Sequence, residues 1–294
     1  MTSTVHAKLE YQIAAHLGEG PVWDEINQKL WWVDILGCTL NCYDPASKEN
    51  KSFPVGEHIG AAALRKEDGL VLALQSGLAF FDELSETITP VENNFSIGDG
   101  TRSNDGKCDP AGRFWLGTLD YDLKEGSGNL FCMNSDLDVE KKLDQLTIPN
   151  GMAWNRQNDR FYFIDTIARK LYSYHYEIDT GEISDRSIIY EFADDLGYPD
   201  GMTIDSNDKL WIALYAGRKV IQINPKNGHI EFEVRLPVPK PTSCTFGGED
   251  FKTLFITTCR EHMDESEIEK APLSGSLFSI DLPFSGRPVD RFDG

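Results

Sequence analysis

Leu210-Trp-Ile-Ala213 decides the fold, because five segments like it lie at near-regular intervals along the chain. They are Leu30-Trp-Trp-Val33, Leu70-Val-Leu-Ala73, Phe114-Trp-Leu-Gly117, Phe161-Tyr-Phe-Ile164 and Leu254-Phe-Ile-Thr257. Successive starts are 40, 44, 47, 49 and 44 residues apart. Each run is strand-sized, and a repeat of this length with several strands per unit is the signature of a β-propeller blade.

The flanks repeat as well. A segment carrying a glycine precedes the run, as in Gly20-Pro-Val-Trp23, Asn150-Gly-Met-Ala-Trp154 and Asp200-Gly-Met-Thr-Ile204. A polar hairpin turn follows it, such as Asp24-Glu-Ile-Asn-Gln28, Asp109-Pro-Ala-Gly112 or Asp205-Ser-Asn-Asp208. After the run comes a more polar strand, then a turn such as Asp179-Thr-Gly181, then an outer strand. A β-sandwich explains two similar hairpins but not six matched units from Gly18 to Leu282. The expected fold is all-β, a six-bladed β-propeller with four-stranded blades around a central channel. Residues 1–294 are read as one such domain, with Lys8–Ala14 adding an outer strand to the last blade. Only Glu261–Lys270 has helical composition.

Composition narrows the function. The 294 residues are 40% hydrophobic and 26% charged, an ordinary globular balance. There are 28 Lys and Arg against 48 Asp and Glu, a formal charge of -20. Such a chain repels phosphate backbones and anionic lipid, so neither nucleic acid nor a membrane is expected as a partner. The apolar runs are too short to span a bilayer, and Met1–Glu10 lacks the apolar stretch of a signal peptide. Six cysteines without Cys-x-x-Cys spacing suit buried free thiols in a reducing compartment, so a cytoplasmic location is expected. A monomer or weak homo-oligomer is the expected state.

In a propeller the first strand of each blade lines the channel. Counting back 10 or 11 residues from each apolar run reaches one entrance position per blade, held by Glu19, Ile59, Asn104, Asn150, Asp200 and Ser243. Two carboxylates and two carboxamides therefore converge on one end of the channel. Taken singly, each reads as a turn residue or strand cap. Together they require a compensating charge, since buried carboxylates facing each other repel. A divalent cation supplies it, with the Asn carbonyl oxygens completing a hard oxygen shell. Arg102 and Asp120 are placed on the same face, and so is the long connection Thr258–Ser274, which could serve as a lid. The alternative for Arg102 is a surface arginine pairing Asp99 or Asp105.

Other signatures are missing. There is no Gly-x-Ser-x-Gly elbow, no His-x-x-x-His pair, no P-loop and no dinucleotide fingerprint. Asp99–Asp109 is rich in oxygen side chains but lacks the register of an EF-hand loop. Asn94-Phe-Ser96 matches a glycosylation acceptor, irrelevant without secretion.

Four separated motifs carry a family resemblance: Gly18-Glu-Gly-Pro-Val-Trp23, Arg102-Ser-Asn-Asp-Gly-Lys-Cys-Asp-Pro-Ala-Gly112, Asn150-Gly-Met-Ala-Trp154 and Tyr198-Pro-Asp-Gly-Met202. With Phe246-Gly-Gly248, they resemble the senescence marker protein/gluconolactonase/regucalcin family over essentially the whole chain. The resemblance implies one divalent metal at the channel mouth (Ca, Zn, Mn or Mg) and hydrolysis of a sugar lactone. It places the metal ligands on Glu19, Asn150 and Asp200, with Asn104 as a fourth ligand or a substrate contact. Arg102 matches the family's substrate-binding arginine. Asp120 stands where relatives often carry Glu as a substrate-contacting acid. Thr257-Thr-Cys-Arg-Glu-His-Met-Asp264 resembles a stretch of bacterial aldonolactonases, which points to pentose or hexose oxidative catabolism. The expected reaction is metal-dependent aldonolactone hydrolysis with Asp200 as general base. The rivals are a regucalcin-like calcium-binding protein and a metal-dependent aryl or phosphate esterase.

Overall fold

The structure, a computed structural model, describes residues 3–93 and 95–294, so Asn94 of the acceptor motif lies outside the described residues. Six sheets, each built on four antiparallel strands, follow one another along the chain as the blades of a propeller. Their inner strands are Gly18–Asp24, Ile59–Leu64, Thr101–Cys108, Pro149–Trp154, Tyr198–Ile204 and Pro241–Gly247. Each apolar run is the second strand of its blade. These strands are buried on both faces between neighbouring blades, which is why they read as continuous apolar stretches without alternation.

Ring closure follows the expectation in part. Lys8–Tyr11 pairs antiparallel with Leu277–Asp281 as the outer strand of blade six, and it ends at Tyr11, short of Ala14. Ser3–His6 goes elsewhere: it runs parallel to His229–Arg235, with Val5 opposite Val234, as a fifth strand of blade five. Nothing in its alternating, polar-rich sequence distinguishes it from the strand that follows. The helix is Glu265–Lys270, shorter than its composition suggested, because Asp264 caps it and Glu267 closes a reciprocal capping box. Among the described residues no helix is long and apolar enough to cross a membrane. All six cysteines are unpaired, five of them buried and Cys38 partly exposed.

The polar turn residues have a definite task. Oδ1 of Asp24, Asp109 and Asp205 each accepts the backbone N–H two residues on, at 3.1, 3.0 and 2.8 Å, forming an Asx turn. In blades three and five the other oxygen reaches into the core, where Asp109 accepts from Trp115 Nε1 at 2.9 Å and Asp205 from Trp211 Nε1 at 3.0 Å. One carboxylate thus fixes both the hairpin and the buried indole of the next strand.

Beyond Leu282 the chain crosses the face where those turns lie. Gly286 N donates to Phe251 O and Ser206 N to Ser285 O, both at 2.8 Å. Arg287 reaches Trp154 O, and Arg291 Nη2 reaches Asp24 Oδ1 at 3.0 Å. Phe292 N donates to Leu64 O at 2.9 Å, and Asp293 N to Gly112 O at 2.9 Å. The segment 283–294 therefore touches all six blades and covers one end of the channel. Phe292 anchors it, fully buried beside Phe80, Phe114 and Met133. Phe292→Ala should cost about 3 kcal/mol of unfolding free energy, measured by denaturant titration, because it empties a filled site in the core. A cost under about 1 kcal/mol would show that the strap carries little of the fold's stability.

Candidate functional site

The other end of the channel is a polar mouth. A cavity of about 340 Å³ there is lined by Glu19, Arg102, Asn104, Asn150, Asp200 and Glu261, with Leu17, Leu119, Ile148 and Tyr215 among its apolar walls. Five of the six residues singled out from the sequence meet here; Asp120 does not line the cavity.

Each inner strand carries a register shift at this height, as between Glu19 and Val22, Asn150 and Met152, or Pro199 and Met202. A bulge lets the backbone turn a polar side chain into the axis and then resume its ladder. In blades one and four the entry of the inner strand is held from the second strand. Asp34 accepts from His16 N and Leu17 N at 2.9 Å, two residues before Glu19. Asp165 does the same for Thr147 N at 3.2 Å and Ile148 N at 3.3 Å, ahead of Asn150. Thr166 ties the next two blades together: its Oγ1 accepts from Asn150 Nδ2 at 3.0 Å and donates to Pro199 O at 2.7 Å, beside Asp200.

Arg102 is buried and turns to Ser103 O and Asn104 Oδ1, both at 2.9 Å, and not to Asp99 or Asp105. Asn104 Nδ2 donates to Pro149 O at 2.9 Å and to Asn150 Oδ1 at 3.3 Å. Arg102 therefore takes one lone pair of the Asn104 carbonyl oxygen and leaves the other, so that oxygen stands at the cavity as either a fourth ligand or a substrate-side contact. Asp120 ends the second strand of blade three, paired with Thr101, and its Oδ1 caps Asp122 N at 2.8 Å. Ile59 is also redirected. It packs in the core with Val33 and Leu74, and Gly60 follows it against the backbone of Ser103 and Asn104.

Two acids at the mouth escaped the sequence reading. Asp105 is buried close enough to Glu19 and Asp200 for its charge to act on both, and it lies within the register shift between Ser103 and Gly106. Its side chain accepts from Gly106 N at 2.8 Å. Glu261 comes from the blade-six connection, a segment flagged as a whole but not by residue. The only signal for either was proximity to a flagged position.

The electrostatics follow from this crowding. Burial and then the charge of Asp105 raise the Glu19 carboxyl from the usual 4.5 to about 8, against the opposing pull of Gly20 N–H and Arg102. Burial, followed by Glu19, Asp105 and Glu261, holds Asp200 well above the ordinary range. Burial also lowers Arg102, opposed by Glu261 first among its neighbours. Among the described residues no three His, Cys, Asp or Glu side chains form a metal cluster. The fit to a cation therefore rests on the mixed donor set: two buried carboxylates that repel, and the Asn150 carbonyl oxygen, which accepts one 3.3 Å hydrogen bond and keeps a lone pair free. This donor set fits a hard divalent ion.

A stability consequence follows for the cation-free protein. A carboxyl raised on folding favours the native state fully below about pH 4.5, and that contribution is lost as pH rises toward about 8. Glu19→Gln removes the loss while keeping an acceptor for Gly20 N–H. In chelator the variant should melt above the wild type near pH 9 and match it near pH 4. Equal melting temperatures at both pH values would show that the Glu19 charge is not a burden on the fold.

The chain is similar over its whole length to known proteins of one group. Residues 17–260 match the model of the SMP-30/Gluconolactonase/LRE-like region. A protein named putative sugar lactone lactonase YvrE, from Bacillus subtilis, is 37% identical over 288 residues, covering 98% of this chain and 99% of that one. Regucalcin of Xenopus laevis is 36% identical over 269 residues, covering 90% of each. Among solved structures, a luciferin-regenerating enzyme superposes with a TM-score of 0.88 at 27% identity, covering 98% of this chain and 100% of that one. A calcium-binding regucalcin from Agrobacterium tumefaciens shares the fold at a TM-score of 0.93 and 24% identity, covering 99% of each chain. With this coverage and the mouth residues in place, the chain belongs to the SMP-30/gluconolactonase/LRE-like family.

Proposed function

We propose that the protein hydrolyses an aldonolactone to its sugar acid, with one divalent cation (Ca, Zn, Mn or Mg) held by Glu19, Asn150 and Asp200. The observation that carries this reading is the convergence of two buried, mutually repelling carboxylates on an open cavity with a buried arginine in its wall. When bound, the cation balances those carboxylates and polarises the lactone carbonyl as a Lewis acid. Relatives named sugar lactone lactonase support the reaction class.

The chain's own groups then have distinct tasks. Arg102 keeps N–H donors beyond the two contacts of its Nη1, and these hold the carbonyl or ring oxygen of the lactone. The Asp200 carboxylate takes a proton from the attacking water. Water adds to the carbonyl carbon, the ring C–O bond breaks, and the ring oxygen leaves as a hydroxyl with the proton that Asp200 returns. Asn104 hydrogen-bonds a sugar hydroxyl from the mouth. Asp120 belongs to this reading only from the rim, through the oxygen not engaged by Asp122 N. The apolar walls formed by Leu17, Leu119 and Ile148 exclude bulk water around the ester.

Protein stripped with chelator should lose hydrolysis of glucono-, xylono-, galactono- and arabinonolactone, and one or more of the four ions should restore it. If no ion restores hydrolysis of any lactone, the reading is wrong, and retained calcium binding would then favour a calcium-binding role. Glu19→Gln and Asp200→Asn should each lose most of the metal, and Asn150→Ala should lose less, by elemental analysis.

Arg102 separates binding of the ion from binding of the substrate. Arg102→Ala should keep near one ion per chain while kcat/KM falls roughly ten- to a hundredfold, the loss of one charge-assisted hydrogen bond. Loss of the ion in that variant would place Arg102 among the groups that hold the metal.

A further inference from the structure

The rim of the mouth is apolar on one side. Among the described residues nine large apolar side chains are exposed, and three of them, Leu123, Ile167 and Tyr198, line this one cavity. They come from successive blades. Leu123 and Ile167 follow the second strands of blades three and four, and Tyr198 opens the inner strand of blade five. The apolar walls Leu119 and Ile148 belong to the same two blades, and Ile148 O accepts from Thr166 N at 3.0 Å, just before Ile167. Blade six, by contrast, lines the mouth with Glu261 and His262.

Each residue of the arc is fixed by its surroundings. Leu123 N donates to Asp120 O at 2.9 Å, inside the turn that Asp120 Oδ1 caps at Asp122 N. Ile167 follows Thr166, whose Oγ1 is tied to Asn150 and Pro199. Tyr198 carries the Arg169 guanidinium over its ring, 4.1 Å from the centroid, and Arg169 Nη1 donates to Gly197 O at 2.9 Å. A surface ordered before the ligand arrives loses little freedom on binding.

An aldonolactone makes poor use of this arc. Every one of its carbons bears oxygen, so it has no hydrocarbon run to bury on Leu123 and Ile167. One face of Tyr198, the ring a sugar could stack on, is already taken by Arg169. Exposed apolar groups gathered at a cavity mark a site for apolar matter. Here the cavity is the one that receives the ester, so that matter is the part of the ligand projecting from the lactone ring.

We propose that the mouth also hydrolyses lactones bearing a saturated alkyl substituent, with the chain lying on Leu123, Ile167 and Tyr198; this rests on the lactonase reading above and widens its substrate class. The bonds made and broken are those of the aldonolactone reaction. Water supplies the new oxygen of the acid and the proton of the freed hydroxyl, and no co-reactant is needed.

The test is a series from γ-butyrolactone to γ-octalactone, run beside D-glucono-1,5-lactone with each of Ca, Zn, Mn and Mg. Wild-type kcat/KM should rise about threefold for each carbon added to the substituent, mainly through KM. Leu123→Ser and Ile167→Ser should each flatten that rise, with γ-butyrolactone and gluconolactone changed less than about threefold and metal content unchanged. Ile167→Val, which keeps an apolar surface, should keep most of the rise. If wild-type kcat/KM stays flat along the series while gluconolactone is turned over, the proposal is overturned and the lactonase reading stands. Equal losses on every lactone in the Ser variants would make these side chains supports of their loops. A dimer in sedimentation that the Ser variants dissociate would make a second copy of the chain the occupant of the arc. Either result also overturns the proposal. If no lactone, sugar or alkyl, is hydrolysed with any ion, the lactonase reading fails and the alkyl subsite falls with it.

Discussion

Six inner strands share one narrow axis, and the need to crowd them there shapes everything at the mouth. A Cβ on Gly151 would lie 2.6 Å from Met202 Cβ and 2.8 Å from Asp200 O, so only glycine allows the fourth inner strand to approach the fifth. That approach brings Asn150 and Asp200 onto the same cavity. The bulges at this height aim their side chains, and the Asp34 and Asp165 clamps fix where the strands begin. The Gly after Asn150 and the Gly after Asp200 are thus packing requirements, and the polar residue before each is what the packing presents.

This explains which parts of the molecule can be read from the chain. The six apolar runs are legible because each is buried on both faces, and burial alone selects their composition. Glu19, Asn104, Asn150 and Asp200 are legible because the repeat fixes their position and the residue type departs from it. Asp105 is not legible, since it lies within a register shift between Ser103 and Gly106 that no local pattern announces. The burial of Arg102 depends on the neighbouring blade supplying Asn150 and Pro149 behind Asn104. Ser3–His6 and the segment 283–294 lie outside the repeat, so periodicity is silent about them. Their positions are decided by unpaired edges and open faces that exist only once the ring has formed.

The mouth trades stability for chemistry. Replacing Glu19 and Asp200 with apolar groups would remove the repulsion that burial intensifies, and the cation-free fold bears that strain. Other buried carboxylates in the same chain carry none of it: Asp109 accepts from Arg113, Trp115 and Tyr176, and Asp205 from Trp211 and Gln222. The difference is one of partners. Asp109 and Asp205 are satisfied by their own blades and build the fold. Glu19 and Asp200 find little to satisfy them within the chain, so what completes them has to come from outside.

The two ends of the channel apply the same physics to opposite effect. At the strap end, Arg287 and Asp290 come from one segment and face Lys107 across a cavity of about 60 Å³. Opposite charges meet there, and Lys107 Nζ donates to Met202 O at 2.6 Å, so that end is closed and nearly balanced by the protein itself. At the mouth, like charges meet around a cavity more than five times larger. A channel with two unbalanced ends would hold ions without orienting anything between them. Sealing one end with the chain's own charges leaves a single place where charge is missing, and a ligand can therefore approach from one direction only.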